Sequence, residues 1–285
     1  MTAHTTPIRH IFGVLALTTG VTMTAPAMAQ TADNPDHVTV VVGAAMVPSY
    51  EGSDNSRVVP GIVVRGQVKG HPFFSRGTVL YGDLIRNDDP NGLDIGFGPV
   101  VGARFNRVSG IGDDRVRALG KLDTAWELGG WVGIAKTGVI TSDYDNLSLR
   151  VAYTHDVAGA HGSYVITPAI EYGTPLSMTT YVGLSLSADY AGKGYGRTYY
   201  DIDQAGSLAS GLNPYDGAGR KAGFVKVNAG MMAAKSLSGD LRKGWALTGA
   251  VVYSRLMDRY AHSPIVADAG SRNQWIGALG VAYTF

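Results

Sequence analysis

The chain has no cysteine in 285 residues. That excludes a disulfide framework and a lipid anchor on a lipobox cysteine. Charge is also scarce: Asp, Glu, Lys and Arg make up 16% of the chain, against roughly 25% in ordinary soluble domains. The signs balance, with Lys+Arg 24 against Asp+Glu 23, and without Arg9 the two sets are 23 and 23. A neutral chain gives no support for nucleic-acid binding. No apolar run is long enough for a transmembrane helix, which needs about 20 residues. What is abundant is glycine, 39 residues, about twice its usual share of ~7%.

The first residues read as an export signal. Arg9 and His10 precede the mostly apolar Ile11–Val21, and Ala27-Met28-Ala29 is an A-x-A cleavage pattern before Gln30. The expectation is a signal peptide over 1–29 and one barrel domain over 30–285.

The closing stretch, Asn273 to Phe285, shows the organising pattern. Trp275, Gly277, Leu279, Val281, Tyr283 and Phe285 fall on one face; Gln274, Ile276, Ala278, Gly280, Ala282 and Thr284 fall on the other. Side chains of a strand alternate with period two. A large apolar face against a small or polar one fits a membrane barrel, whose strands meet lipid outside and a polar lumen inside. A last strand of a soluble β-sandwich is the competing reading. Leu279, Val281, Tyr283 and Phe285 also resemble the end signal by which bacterial barrels are recognised by the barrel-assembly machinery and inserted into outer-membrane lipid.

The alternation recurs. In Leu93–Phe105 the charges Asp94 and Arg104 oppose Phe97 and Phe105, a separation that helical spacing does not reproduce. Similar segments start at His37, Val58, Gly77, Leu122, Leu147, Ser163, Tyr181, Phe224 and Trp245. With the closing stretch these make eleven, whereas bacterial single-chain barrels have even counts. Gly194–Ile202, with three Tyr, supplies the twelfth. The expectation is an all-β, antiparallel transmembrane barrel of twelve strands, with ten or fourteen as alternatives. Its parity puts the polar segments Asp203–Gly219 and Asp258–Ser271 outside the cell, and Lys69–Pro72 and Ser236–Gly244 inside. It also makes Arg107–Lys121 a long periplasmic turn, which fits poorly; Asp113–Leu119 within it suits a short helical turn.

Several stretches resemble the MipA/OmpV family of MltA-interacting outer-membrane proteins. They are Pro48-SYEGSDNSRVVP-Gly61, the Gly98-Pro99 strand, the Tyr200–Arg220 loop with its Ser-Gly-Leu, and the Tyr253–Gln274 segment with its Ser-Pro-Ile-Val. The likeness covers essentially the whole chain after the signal. It implies a bacterial outer-membrane barrel. It also implies a non-enzymatic scaffold that joins a lytic murein transglycosylase to a penicillin-binding protein. A small-solute channel is the alternative.

Lumen charges are the candidate functional residues. The register turns Asp94, Glu127, Asp156, Glu171 and Asp189 inward, with Arg104, Arg150 and Lys226. Facing lipid at mid-depth, a cation would cost roughly 2–4 kcal/mol. Facing inward, opposite charges can pair across the lumen, with bulky Tyr181 and Phe224 helping to fill it. A narrow polar pore is the other use of the same residues. No catalytic residue, metal site or cofactor is expected. His155 and Asp156 are adjacent and so point to opposite faces. Asp88-Asp89 and Asp113-Asp114 lack the Asp-x-Asp-x-Asp-Gly spacing of a calcium loop.

Overall fold

The computed structural model describes residues 36–86 and 92–285. The expected export signal and Asp88-Asp89 lie outside the described residues. Twelve antiparallel strands close into one barrel, each bonded to its sequence neighbours and the last to the first. They are β1 His37–Pro48, β2 Ser56–Val68, β3 His71–Arg76, β4 Val79–Gly82, β5 Leu93–Arg104, β6 Ala125–Thr137, β7 Asn146–Asp156, β8 Tyr164–Ser177, β9 Thr180–Ala191, β10 Gly223–Ser236, β11 Gly244–Leu256 and β12 Asn273–Thr284. Closure runs through Val40↔Tyr283, Val42↔Val281 and Ala44↔Leu279. Closure pairs most of the sheet edge, as hydrocarbon requires.

The period-two pattern sorts side chains as a membrane barrel requires. Val42, Ile95, Phe97, Leu128, Val132, Leu149, Val151, Leu184 and Leu247 stand exposed on the outside. Inward positions between them are small or polar. Val251 and Val252, which looked ambiguous in the sequence, alternate as well: Val251 is exposed and Val252 buried. Two aromatic belts frame the apolar band. Near one end Tyr153 stacks on Tyr164, Phe224 meets Tyr190, and Tyr253 meets Trp275. Near the other, Tyr283 lies between Trp245 and Phe285, with ring centroids 4.8 and 4.7 Å away. Barrels of the outer membrane carry such belts at both interfaces. Leu279 (75% exposed), Val281 and Phe285 are part of this outer surface.

The count of twelve holds, but its membership differs from the sequence reading. Gly194–Ile202 is not a strand. Lys193–Tyr200 forms a helix, α2, which buries Tyr195, Gly196, Tyr199 and Tyr200. That spacing of one, four and five is a helical face, which alternating Tyr residues disguised. Gly196 is required there, because a Cβ would lie 2.2 Å from the Ala218 carbonyl oxygen. The missing strand is β3, hidden where Lys69–Pro72 reads as a turn. Lys69 and Gly70 alone make the turn, both with positive φ, and His71–Arg76 rises from it.

This exchange moves all five connections between β4 and β9 to the opposite end. With β3 and β4 both present, the Arg107–Lys121 segment lies beside the late loops and is not a periplasmic turn. Arg115 donates from Nη2 to the Asp268 carbonyl at 2.9 Å. The segment carries α1, Asp114–Ala118, capped by Asp113. The connection from β4 to β5 falls at the other end, with the short turns. Long loops thus gather at one end of the barrel and short turns at the other, the arrangement of extracellular loops and periplasmic turns in outer-membrane barrels. The loop end also holds α3 Gln204–Ser210, α4 Asp258–Ala261 and α5 Pro264–Ala267. Among the described residues no helix is long and apolar enough to cross a membrane.

Candidate functional site

The lumen wall is divided. From β10 through β12 and β1 to β2 it presents small apolar groups, among them Ala45, Val59, Ala234, Ala250 and Ala278. The opposite wall, with Lys226 of β10 at its margin, carries charge in two tiers.

The middle tier centres on Glu171 of β8. Arg76 of β3 grips it through two bonds, Nη2 to Oε2 at 2.6 Å and Nε to Oε1 at 3.1 Å. Arg150 of β7 adds Nη2 to Oε1 at 3.2 Å. Both guanidinium groups lie over the Phe74 ring, and Arg150 also lies 4.6 Å from the Tyr81 centroid. Phe74, Tyr81 and Trp131 pack together beneath them. Paired guanidinium–carboxylate contacts and ring faces compensate the charge that this position removes from bulk water.

The upper tier lies at the loop end. Arg104 of β5 donates to both oxygens of Glu127 of β6, at 2.9 and 3.3 Å. His161, in the loop after β7, places Nε2 at 3.3 Å from Glu127 Oε1, and Thr154 donates to Oε2. Beside this cluster Glu51, from the loop after β1, points down into the barrel mouth. It accepts from Lys226 Nζ at 3.0 Å, from the Tyr195 hydroxyl at 3.0 and 3.1 Å, and from the Tyr200 hydroxyl. Lys226 also lies 3.5 Å from Asp189. Burial alone would raise the Glu51 carboxyl. The Lys226 and Arg104 charges and the Tyr200 and Lys226 hydrogen bonds outweigh it and hold the group below its ordinary 4.5. Burial and the Glu51 charge push the Tyr200 hydroxyl the other way, so it stays neutral and donates.

These contacts fix the long loops inside the mouth. Tyr195, Tyr199 and Tyr200 of α2, Tyr260 of α4 and Val266 of α5 form one buried cluster. Tyr50, Ile111, Val116, Leu212 and Ile265 form a second, which joins the loops after β1, β5, β9 and β11. Ser263 Oγ donates to the Tyr200 carbonyl at 2.6 Å. The loop end is thus filled by protein.

Of the charges expected in the lumen, Arg104 and Glu127, Arg150 and Glu171, and Lys226 and Asp189 meet as pairs. Asp156 is inward but serves its own loop, accepting from the backbone N–H groups of Ala158, His161 and Gly162. Asp94 lies near the turn end and forms no ion pair among the described residues. Tyr181 is buried inside as expected, whereas Phe224 is 52% exposed on the outer belt. The cause is a bulge: Phe224 pairs with Tyr190 and Lys226 with Asp189, leaving Val225 over. One extra residue reverses the alternation. His155 is exposed and Asp156 buried, on opposite faces. The partners that sequence reasoning missed are Arg76, in the unrecognised β3, and Glu51, in a loop whose polar composition suggests solvation.

The decisive likeness is one of sequence. The profile of the family described as "MltA-interacting protein MipA" matches residues 40–285. The chain belongs to this family. With the closed barrel and its two belts, membership makes it a β-barrel of the bacterial outer membrane. Several solved structures of outer-membrane proteins are similar to this MipA-family chain. A COG4313 outer membrane channel from Pseudomonas putida F1 is 12% identical, with 92% of this chain and 99% of that one covered and a TM-score of 0.45. The CymD monoaromatic hydrocarbon channel is 12% identical, with 89% and 90% covered and a TM-score of 0.40. An anion-selective porin from Comamonas acidovorans is 13% identical, with 88% and 99% covered and a TM-score of 0.36. No curated protein matches the sequence.

Proposed function

We propose that the chain is a non-enzymatic scaffold that holds murein-hydrolysing and murein-synthesising enzymes against the outer membrane. The observation that carries this reading is the filled loop end. Glu51, Lys226, Tyr195 and Tyr200 are buried together in the mouth, where a solute channel needs space. The family description supplies the partner class: a protein that interacts with MltA, a lytic murein transglycosylase by the resemblance above. A penicillin-binding protein is the second partner proposed on that resemblance.

The partner surface in this reading is the turn end. Ile140 and Tyr144 of the β6–β7 turn, Met178 of the β8–β9 turn and Leu237 after β10 stand exposed there. Apolar groups clustered at one end suit protein contact better than solvent. A photoreactive residue at Ile140 or Leu237, activated in intact cells, tests the proposal. The expected product is an adduct with a lytic transglycosylase or a penicillin-binding protein, and none from Leu208 at the loop end. Absence of both enzymes among the turn-end adducts would sink it.

A further inference from the structure

One seam of the barrel wall is incomplete. β2 pairs with β1 along its whole length, from His37↔Gln67 to Pro48↔Ser56. On its other edge β3 meets only Arg65 to Val68. One more rung comes from a side chain: Ser75 Oγ accepts from Val64 N–H at 2.9 Å and donates to Val64 C=O at 3.1 Å. Beyond that rung, the 56–63 stretch has no strand partner on this edge among the described residues.

The seam lies within the membrane band. Pro60 pairs with Ala44, and Ala44 with Leu279. Leu279 stands midway along β12 between Trp275 of one belt and Tyr283 of the other. Backbone groups alternate in direction along a strand. Those of Val58, Pro60 and Ile62 therefore face the seam as Val64 does. Unpaired groups at this depth are expensive unless something reaches them. A further strand is poorly suited, because Pro60 has no N–H to give, and proline on a free edge is a guard against strand addition.

The pocket at this seam has an apolar lining drawn from both sides of the wall. Val41, Ala45 and Val63 contribute from the lumen face, Ile62 and Leu279 from the lipid face, and Gly77 from the tip of the β3–β4 hairpin. Polarity is ordered along it. The free backbone groups of Val58 lie toward the loop-end interface, and the side chains around Val63 lie deeper. An outer-leaflet lipid has the same order, with its carbonyl linkage near the interface and its tail below.

We propose that this seam is a lateral slot that takes an acyl chain of an outer-leaflet lipid, its tail reaching the small-residue strip of the lumen wall. The slot is independent of the scaffold role. It requires neither an open mouth nor a periplasmic partner.

The test uses the full chain refolded in phosphatidylcholine vesicles that carry a diazirine on the acyl chain, followed by photolysis and peptide mapping. Adducts are expected on lumen-facing Ala45 and Val63 as well as on outward Leu279. Val63→Trp, which fills the slot, should reduce the adduct on Ala45 several-fold and leave Leu279 labelled. The unmodified chain gives the deciding map whether or not this variant folds. Adducts confined to outward residues would overturn the proposal. So would a disulfide linking two copies of Val58→Cys in the same vesicles, which would assign the edge to a second copy of this otherwise cysteine-free chain.

Discussion

Lys226 on β10 reaches Glu51, in the loop after β1, with Nζ 3.0 Å from Oε2, and both side chains are buried. The contact ties β10 to the loop after β1, three strands away around the wall, and sets that loop into the mouth. Removing one partner strands the other charge in protein, at a cost of about 3–5 kcal/mol. Lys226→Met and Glu51→Gln should each lower the unfolding midpoint in detergent. The double variant should lose less than the sum, because it leaves neither charge alone. Additive losses would show that the two side chains act separately.

Acid should loosen the mouth in a defined direction. The Glu51 carboxyl is held below its ordinary 4.5 by Lys226, Arg104 and the Tyr200 hydrogen bond, against the opposing effect of burial. A depressed carboxylate contributes stability that is present above its unfolded value and is lost as pH falls through the folded one. Proteolysis of the long loops in intact vesicles should therefore be unchanged from neutral pH to about 4.5 and rise below it. Glu51→Gln should show no such step. A step above the ordinary value would contradict the assignment.

Asp145 plays the matching part at the turn end. Its carboxylate accepts from the backbone N–H groups of Val139, Ile140, Thr141 and Ser142. These bonds outweigh burial and hold the group well below its ordinary 3.8. Asp145→Ala leaves the donors unmatched and should destabilise the turn by about 1–3 kcal/mol. Amide hydrogen exchange across 138–145 should quicken, with β11 and β12 unchanged. Unaltered exchange in the turn would show that water replaces the carboxylate fully.

The two ends should label from opposite sides. Tags near Asn213 and in α1 at Asp114 should be reached in intact cells, and a tag at Tyr144 only after lysis. The α1 and Tyr144 tags are the discriminating ones, because the strand parity read from the sequence predicts the reverse for both.

The last strand should direct assembly. Tyr283 and Phe285 close the turn-end belt and lie beside the β1–β12 seam. Deleting Phe285, or changing both residues to Ser, should reduce heat-modifiable barrel in the outer-membrane fraction. An undiminished amount would remove the terminal aromatic from the account.

Much of the wall was legible because lipid imposes a strict rule on each long strand. β5, β7 and β12 alternate over 11 or 12 residues, and their inward charges could be named. β3 was not legible, since 6 residues are too few for the period to show, whereas the 4 residues of β4 were read within the longer segment that starts at Gly77. The mouth was the least legible part. Glu51 meets Tyr195, Tyr200 and Lys226, which lie 144, 149 and 175 positions away, and no local pattern announces such a contact. A single bulge at Val225 was enough to turn Phe224 from the lumen to the membrane.

The central claim is that the lumen is shut by the packed mouth and its ion pairs. Planar bilayers test it most directly. The unmodified, purified protein should show no steady conductance above that of the protein-free membrane. Arg150→Ala combined with Lys226→Ala should produce leak currents or an unstable barrel, because it removes cations from both tiers. A robust, steady and ion-selective conductance from the unmodified protein would contradict the closed barrel and make the chain a channel.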